Sequence, residues 1–146
     1  MNVLRDSPVG LFQRGFALFI DLIIIIIFAL TLHLVFQNES VSFESSLILR
    51  LAASFPYIYA VFLPLFWNGY TIGKRLVGIR IARVSGEKLT LGTMIIRELL
   101  ANLLYYVTFG ILSLISVYLV STRDDKRSIH DLLAGTYVTS NLPEQE

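Results

Sequence analysis

Gly15-Phe16-Ala17-Leu18-Phe19-Ile20-Asp21-Leu22-Ile23-Ile24-Ile25-Ile26-Ile27 opens an apolar run that continues to Phe36, and its reading decides the fold. From Gly15 to Phe36 the run has 22 residues, enough at ~1.5 Å per residue to cross a hydrocarbon core of ~30 Å as one helix. Asp21 stands just before its most hydrophobic block. A carboxylate at the centre of a membrane helix costs roughly 2.5–3.5 kcal/mol on insertion scales, so it demands a partner or a function. Arg14 precedes it by seven residues, about 20° away around a helix, so both side chains project from one face. They lie about 10.5 Å apart along the axis, however, and the natural ion-pair neighbours on a helix are three or four residues away. Each is therefore expected to meet a group from another segment. For Asp21 the candidates are Arg50, Arg97 and the polar face of Asn102, Tyr105 and Tyr106; for Arg14 they are Glu98, Asp124, Asp125 and Asp131.

The rest of the chain is of the same character. With 55% hydrophobic and 16% charged residues and a mean hydropathy of +0.68, its 146 residues form one domain too apolar to be soluble. The fold class expected is an all-α membrane protein, a single unit over residues 1–146. Cysteine is absent, which excludes disulfides, thiol nucleophiles and cysteine-based zinc sites, and two isolated histidines, His33 and His130, do not make a metal centre. No cofactor is implied. The first apolar run lacks a small-residue cleavage pattern and contains Asp21, so it reads as a retained anchor rather than a secretory signal.

A second span is expected over residues 47–67, with Arg50 near its start, Pro56 and Pro64 within it, and Tyr57, Tyr59 and Trp67 as interfacial aromatics. The third apolar stretch, 90–121, is long for one helix and short for two. Thr108-Phe109-Gly110 offers a break, so one tilted span and a hairpin of two helices are both open. Lys74, Arg75, Arg80, Arg83, Lys88 and Arg97 fall between Asn68 and Arg97, whereas residues 37–46 carry Glu39 and Glu44 and no Lys or Arg. The positive-inside rule then places the N-terminus and the 68–89 segment in the cytoplasm of a bacterial cell membrane and the 37–46 loop outside. Arg123, Lys126 and Arg127 in the polar tail 122–146 favour the hairpin, which returns the tail to the cytoplasm. Residues 77–84 partly alternate and Ser85-Gly86 follows as a turn before Glu87-Lys88-Leu89-Thr90, giving a short surface β-hairpin, with an amphipathic helix as the competing reading. Residues 141–146 read as a frayed polar end.

The site readings follow from these positions. The intramembrane Arg/Asp set either pins helices together or builds a cation or proton site around Asp21, with Arg97 as a further member and Arg50, Glu98, Asn102 and His130 in support. Lys74, Arg75, Arg80, Arg83 and Lys88 suit anionic lipid headgroups, at ~1 kcal/mol each, or a docking partner. Gly69-Tyr70-Thr71-Ile72-Gly73-Lys74-Arg75 fails as a phosphate loop, with three residues between its glycines and Arg75 where Ser or Thr should hold the metal. Ser128 and Asp131 have the spacing of a capping box, and His130 beside Asp131 is no catalytic dyad, because adjacent helical side chains diverge. No catalytic set emerges, so an enzyme is not expected, and nothing points to nucleic acid.

Taken together, Phe12-Gln13-Arg14-Gly15-Phe16-Ala17-Leu18-Phe19-Ile20-Asp21, Thr71-Ile72-Gly73-Lys74-Arg75-Leu76-Val77-Gly78-Ile79-Arg80, Arg97 and His130-Asp131-Leu132-Leu133-Ala134-Gly135-Thr136 resemble the RDD family of small membrane proteins. One departure is Ile72, where the family commonly has proline before the Gly-Lys step. The resemblance implies that Arg14, Asp21 and Asp131 are the arginine and two aspartates of the family name. It further implies transport of a ligand, cation/proton exchange in some members, and in at least one relative regulation of a membrane-bound protease. The partners to expect are the bilayer, a second copy of the chain, a membrane protein such as a protease, and a monovalent cation or proton.

Overall fold

The computed structural model describes residues 7–36, 50 and 53–140. The expected 37–46 loop, most of the start of the second span and the polar end 141–146 lie outside them. The order is α1 (Leu11–Phe36), α2 (Phe55–Phe66), α3 (Ile72–Val77), β1 (Arg80–Arg83), α4 (Leu91–Ile95), a π-helical turn (Ile96–Leu100), α5 (Ala101–Val107), α6 (Ile111–Thr122), α7 (Ile129–Ala134) and β2 (Thr136–Thr139). Among the described residues the fold is mostly helical with one small sheet.

Within α1, Leu11–Val35 is the one helix among the described residues long and apolar enough to cross a membrane. It turns a single stripe inward, Arg14, Ala17, Asp21, Ile24, Ile25, Phe28 and Leu32, at the three- and four-residue spacing of a helix face. Leu22, Ile26, Ile27 and Leu30 on the other side are exposed, a surface suited to lipid rather than water. Against this stripe pack α2, through Phe28 stacked on Phe55 at 3.9 Å, and the short α3, the neighbour with which α1 makes its most extensive contact.

The apolar stretch 90–121 is folded back on itself. Phe109 and Gly110 both take positive φ, 50° and 82°, so the chain reverses between α5 and α6, and Tyr105 Oη lies 2.8 Å from Ser116 Oγ across the turn. In one continuous helix these residues would be ~16 Å apart. The break at residues 108–110 is thus present, and the stretch is a helical hairpin.

The expected β-hairpin over 77–90 is corrected in its pairing. The strand 80–83 exists, but it pairs antiparallel with β2, Arg80 opposite Thr139 and Arg83 opposite Thr136. The turn at Ser85-Gly86 forms, with the Gly86 amide donating to the Arg83 carbonyl, yet Glu87 and Lys88 beyond it are exposed. The reason is burial: all four residues of β2 are buried, so the chain gains more by covering Thr136–Thr139 than by pairing charged residues with water on every side. Residues upstream of β1 form α3 instead, capped by the Thr71 hydroxyl and ended by Gly78 at φ 74°. The resulting cap closes one end of the bundle. Ile79 and Val138 pack with Val9 and Ala17, and Ile81 with Val61 and Met94.

Candidate functional site

The cap end brings together two buried carboxylates, and they have different surroundings. Asp131 has no exposed surface. It sits at the third position of α7, where Ser128 completes the capping box: the Ser128 side chain accepts from the Asp131 amide, and Asp131 Oδ2 accepts from the Ser128 amide at 3.2 Å and hydroxyl at 2.9 Å. The same oxygen takes Arg14 Nη1 at 2.6 Å, and Oδ1 takes Arg97 Nη1 together with the Thr136 hydroxyl. Arg14 is further fixed by the carbonyls of Val9 at 3.0 Å and Lys126 at 2.7 Å. Arg97, 4% exposed, projects inward from the π-helical turn, a widened turn of a kind frequent at functional sites. One carboxylate thus ties together α1, the π turn, α7 and β2.

Burial alone would raise the Asp131 carboxyl, but the guanidinium charges of Arg97 and Arg14 outweigh it and hold the group well below the usual carboxylate range. Next to it, burial pushes the His130 imidazole down to about 3, with Arg97 acting in the same direction. His130 is therefore neutral and holds Tyr105 Oη through Nδ1 at 2.9 Å, in a chain that continues to Ser116. Both groups bind fewer protons folded than unfolded, so stability rises with pH through their windows. For His130 the loss runs from the unfolded value near 6.5 down to about 3, at up to ~1.4 kcal/mol per pH unit. His130→Asn, which retains an acceptor for Tyr105, is expected to flatten the fall in melting temperature between those limits, measured in detergent across a pH series.

Asp21, 6% exposed, is held among the described residues by neutral donors. Oδ1 accepts from Tyr59 Oη at 2.5 Å and from the Gly73 amide at 2.8 Å, and Oδ2 from the Thr71 hydroxyl at 2.6 Å. Thr71 is the N-cap of α3, its hydroxyl also accepting the Lys74 amide at 3.2 Å, and Tyr59 Oη accepts the Ile72 amide at 3.0 Å. Asp21 therefore anchors the first turn of α3 to α1. Gly73 makes the approach feasible: a Cβ there would lie 2.1 Å from the Ala17 carbonyl oxygen and 2.9 Å from Asp21 Cγ.

The expectation that Arg14 and Asp21 reach different segments is what the geometry has, and Asp131 is the partner among those considered for Arg14. The partners considered for Asp21 are corrected. Arg97 is committed to Asp131 and Glu98, Arg50 and Asn102 are exposed, Tyr105 faces His130, and Tyr106 is exposed. Tyr59, Thr71 and Gly73 were not singled out as site residues, although Thr71, an N-cap residue type two positions before Gly73, carried a signal for a helix start. Of the basic set assigned to headgroups, Lys74 on α3 is partly buried and Arg83 pairs with Glu87 at 2.6 Å. Arg80 is partly buried, Lys88 is exposed, and both are engaged elsewhere. Arg75 is exposed and lies over the rings of Trp67 at 4.7 Å and Tyr70 at 5.8 Å. Among the described residues no cluster of His, Cys, Asp and Glu has the makings of a metal centre.

A long apolar helix, a folded-back helical hairpin and a cap stitched by two arginines to one aspartate are the features of a membrane-type module. The profile of the RDD family matches residues 8–135, and the chain belongs to that family. It is similar to the uncharacterized protein YckC of Bacillus subtilis, 38% identical over 146 residues, which covers 100% of this chain and 92% of that one. It is also similar to an uncharacterized protein of Haemophilus influenzae, 37% identical over 84 residues, 56% of this chain and 53% of that one. No solved structure matches it.

Proposed function

We propose that the protein is an integral membrane cation/proton exchanger in which Asp21 is the exchanging group. The observation that carries this reading is the contrast between the two carboxylates. Asp131 is locked by two guanidiniums, whereas the hydrogen-bond donors to buried Asp21 among the described residues are neutral, Tyr59, Thr71 and Gly73. A carboxylate so placed is neutralised either by a proton or by a small monovalent cation. The hydroxyls of Tyr59 and Thr71 donate to it in this structure and have lone pairs that would face a cation once their protons turn away. One cation enters as one proton leaves, so charge balances. α1, the second span and the 91–122 hairpin are assigned to the bilayer, with the cap, rich in Lys and Arg, on the cytoplasmic side. So few segments enclose no pathway alone, and a homo-oligomer completes it.

The test is internal pH in proteoliposomes under Na+, K+ and Li+ gradients. Wild type is expected to move protons against at least one cation, and Asp21→Asn to fall to the rate of protein-free vesicles. Absence of flux from oligomerically intact wild type overturns the reading.

A second reading is a non-catalytic adaptor or inhibitor of a membrane partner such as a protease. It is favoured by Arg75, held exposed over Trp67 and Tyr70 at the rim of the cap. Crosslinks from residues 74–88 to one membrane protein in cells, with no flux in vesicles, would select it.

A further inference from the structure

No Asp, Glu, Lys or Arg lies between Glu98 and Arg123, yet this uncharged stretch is folded in two and neither arm is long. α6, Ile111–Thr122, has 12 residues and reaches about 18 Å, against a hydrocarbon core of about 30 Å. The other arm is tied to the cap at Arg97 and meets the turn after Val107, about 15 Å further on. Asp131 gives α1 and the hairpin a common base, because it holds Arg14 as well as Arg97. From that base α1 runs on to Phe36, about 33 Å, and the hairpin about half as far. The cap also rises along the hairpin: Ser116, in the middle of α6, accepts the Ile129 amide at 3.2 Å, and Tyr105 meets His130 at 2.9 Å.

Two features of the turn say what surrounds it. The amides of Thr108, Phe109, Gly110 and Ile111 donate to the carbonyls of Leu104, Tyr106, Tyr105 and Thr108 at 2.8–3.1 Å, and the Thr108 hydroxyl donates to the Leu104 carbonyl at 2.8 Å. Hydrocarbon demands such internal pairing, whereas a turn in water does not need it. Phe109 is 96% exposed, and Tyr106, Val107, Ile111, Leu114 and Tyr118 are exposed on both arms below it. A docked protein would cover one face, while acyl chains cover all of them. The exposed polar residues Asn102, Ser121 and Thr122 stand at the base, within about a turn of Glu98 or Arg123, and the two hydroxyls donate back to the carbonyls of Val117 and Tyr118. We infer that the 91–122 hairpin is a re-entrant wedge, which enters the cytoplasmic leaflet, turns among the acyl chains at Phe109-Gly110 and leaves by the same side without crossing. The inference rests on placing this hairpin in the bilayer and is independent of exchange at Asp21.

The chain has no cysteine, so each single-cysteine variant carries one label. Full-length Phe109→Cys, Leu114→Cys and Asp124→Cys are reconstituted in vesicles, with Ile26→Cys on α1 as the lipid-facing reference. All four side chains are exposed, so the fold is expected to be kept, and thermal melts check it; Tyr106→Cys takes the place of Phe109→Cys if the tip change alters the melt. A membrane-impermeant maleimide is expected to label Asp124→Cys from one side and Phe109→Cys from neither. With a spin label, the ratio of oxygen to nickel-chelate accessibility should be highest at 109, lower at 114 and lowest at 124. A crossing hairpin puts the maximum at 114 and opens 109 to the side opposite Asp124. That result, labelling of Phe109→Cys from the same side as Asp124→Cys, or a label at 109 screened from oxygen as well as nickel by a second copy or another protein, overturns the inference. If Ile26→Cys is also open to nickel, the bilayer assignment falls and the wedge with it; with Ile26 in lipid, failure at 109 removes the wedge alone.

Discussion

Asp131→Ala is expected to cost about 3–5 kcal/mol of stability, the range for removing one side of a buried ion network. The variant leaves Arg97, 4% exposed, and Arg14 facing each other with no carboxylate between them, and it deletes the acceptor of the α7 capping box. The measurement is thermal or denaturant unfolding in detergent. The loss comes from stranded charge rather than from the intrinsic worth of the pair, because burial of the ions largely offsets their attraction. Replacing Arg97 and Asp131 together by leucine should therefore recover part of it, since Arg14 retains the carbonyls of Val9 and Lys126. Asp21→Asn is expected to be much milder for folding. An amide oxygen still accepts from two of the three donors, and a hydroxyl can turn to receive the amide hydrogens. Loss of flux in Asp21→Asn with an intact melting transition would thus separate chemistry from architecture.

Gly73→Ala should damage both. Its new Cβ would lie 2.1 Å from a backbone oxygen of α1 and 2.9 Å from Asp21, contacts that real side chains do not make. Either α3 retreats and the Gly73 and Thr71 bonds to Asp21 lengthen, or α1 is deformed. Overpacking of this kind costs about 1–3 kcal/mol, here together with the anchoring of the carboxylate. Gly15→Ala on the same helix as Asp21 is the control. A Cβ at Gly15 meets nothing within 4 Å, and alanine gains about 1 kcal/mol of helix propensity over glycine. A fall in melting temperature and cation flux for Gly73→Ala, beside a neutral or stabilised Gly15→Ala, is the expected pattern; equal behaviour of the two would refute the close-packing argument.

Much of this was legible in the residues. The length of the first apolar run gave α1, Arg14 and Asp21 on one face pointed to partners elsewhere, and Phe109-Gly110 marked the reversal in the third stretch. Asp131 could be placed among the partners of Arg14 because few acids were available. What was not legible were the neutral donors. A tyrosine in a membrane helix reads as an interfacial aromatic, and nothing local distinguishes Tyr59, which reaches Asp21 across 38 positions, from Tyr57, which is exposed. The strand at 80–83 was visible from its alternation, but its partner was not. Adjacent sequence offered a turn, while the true partner gained its advantage from burial in a tertiary setting that local pattern does not encode.

The ion network also sets an order of events in biosynthesis. Arg14 waits 117 positions for Asp131, and β1 waits for β2, which closes the cap at Thr136–Thr139. In a nascent chain the Arg14 guanidinium therefore lacks its carboxylate until residue 131 has been translated. Contacts of such long sequence separation form late. Until then α1 presents a guanidinium without its buried counterion and β1 an unpaired edge, so neither can be fixed before the 131–139 segment arrives.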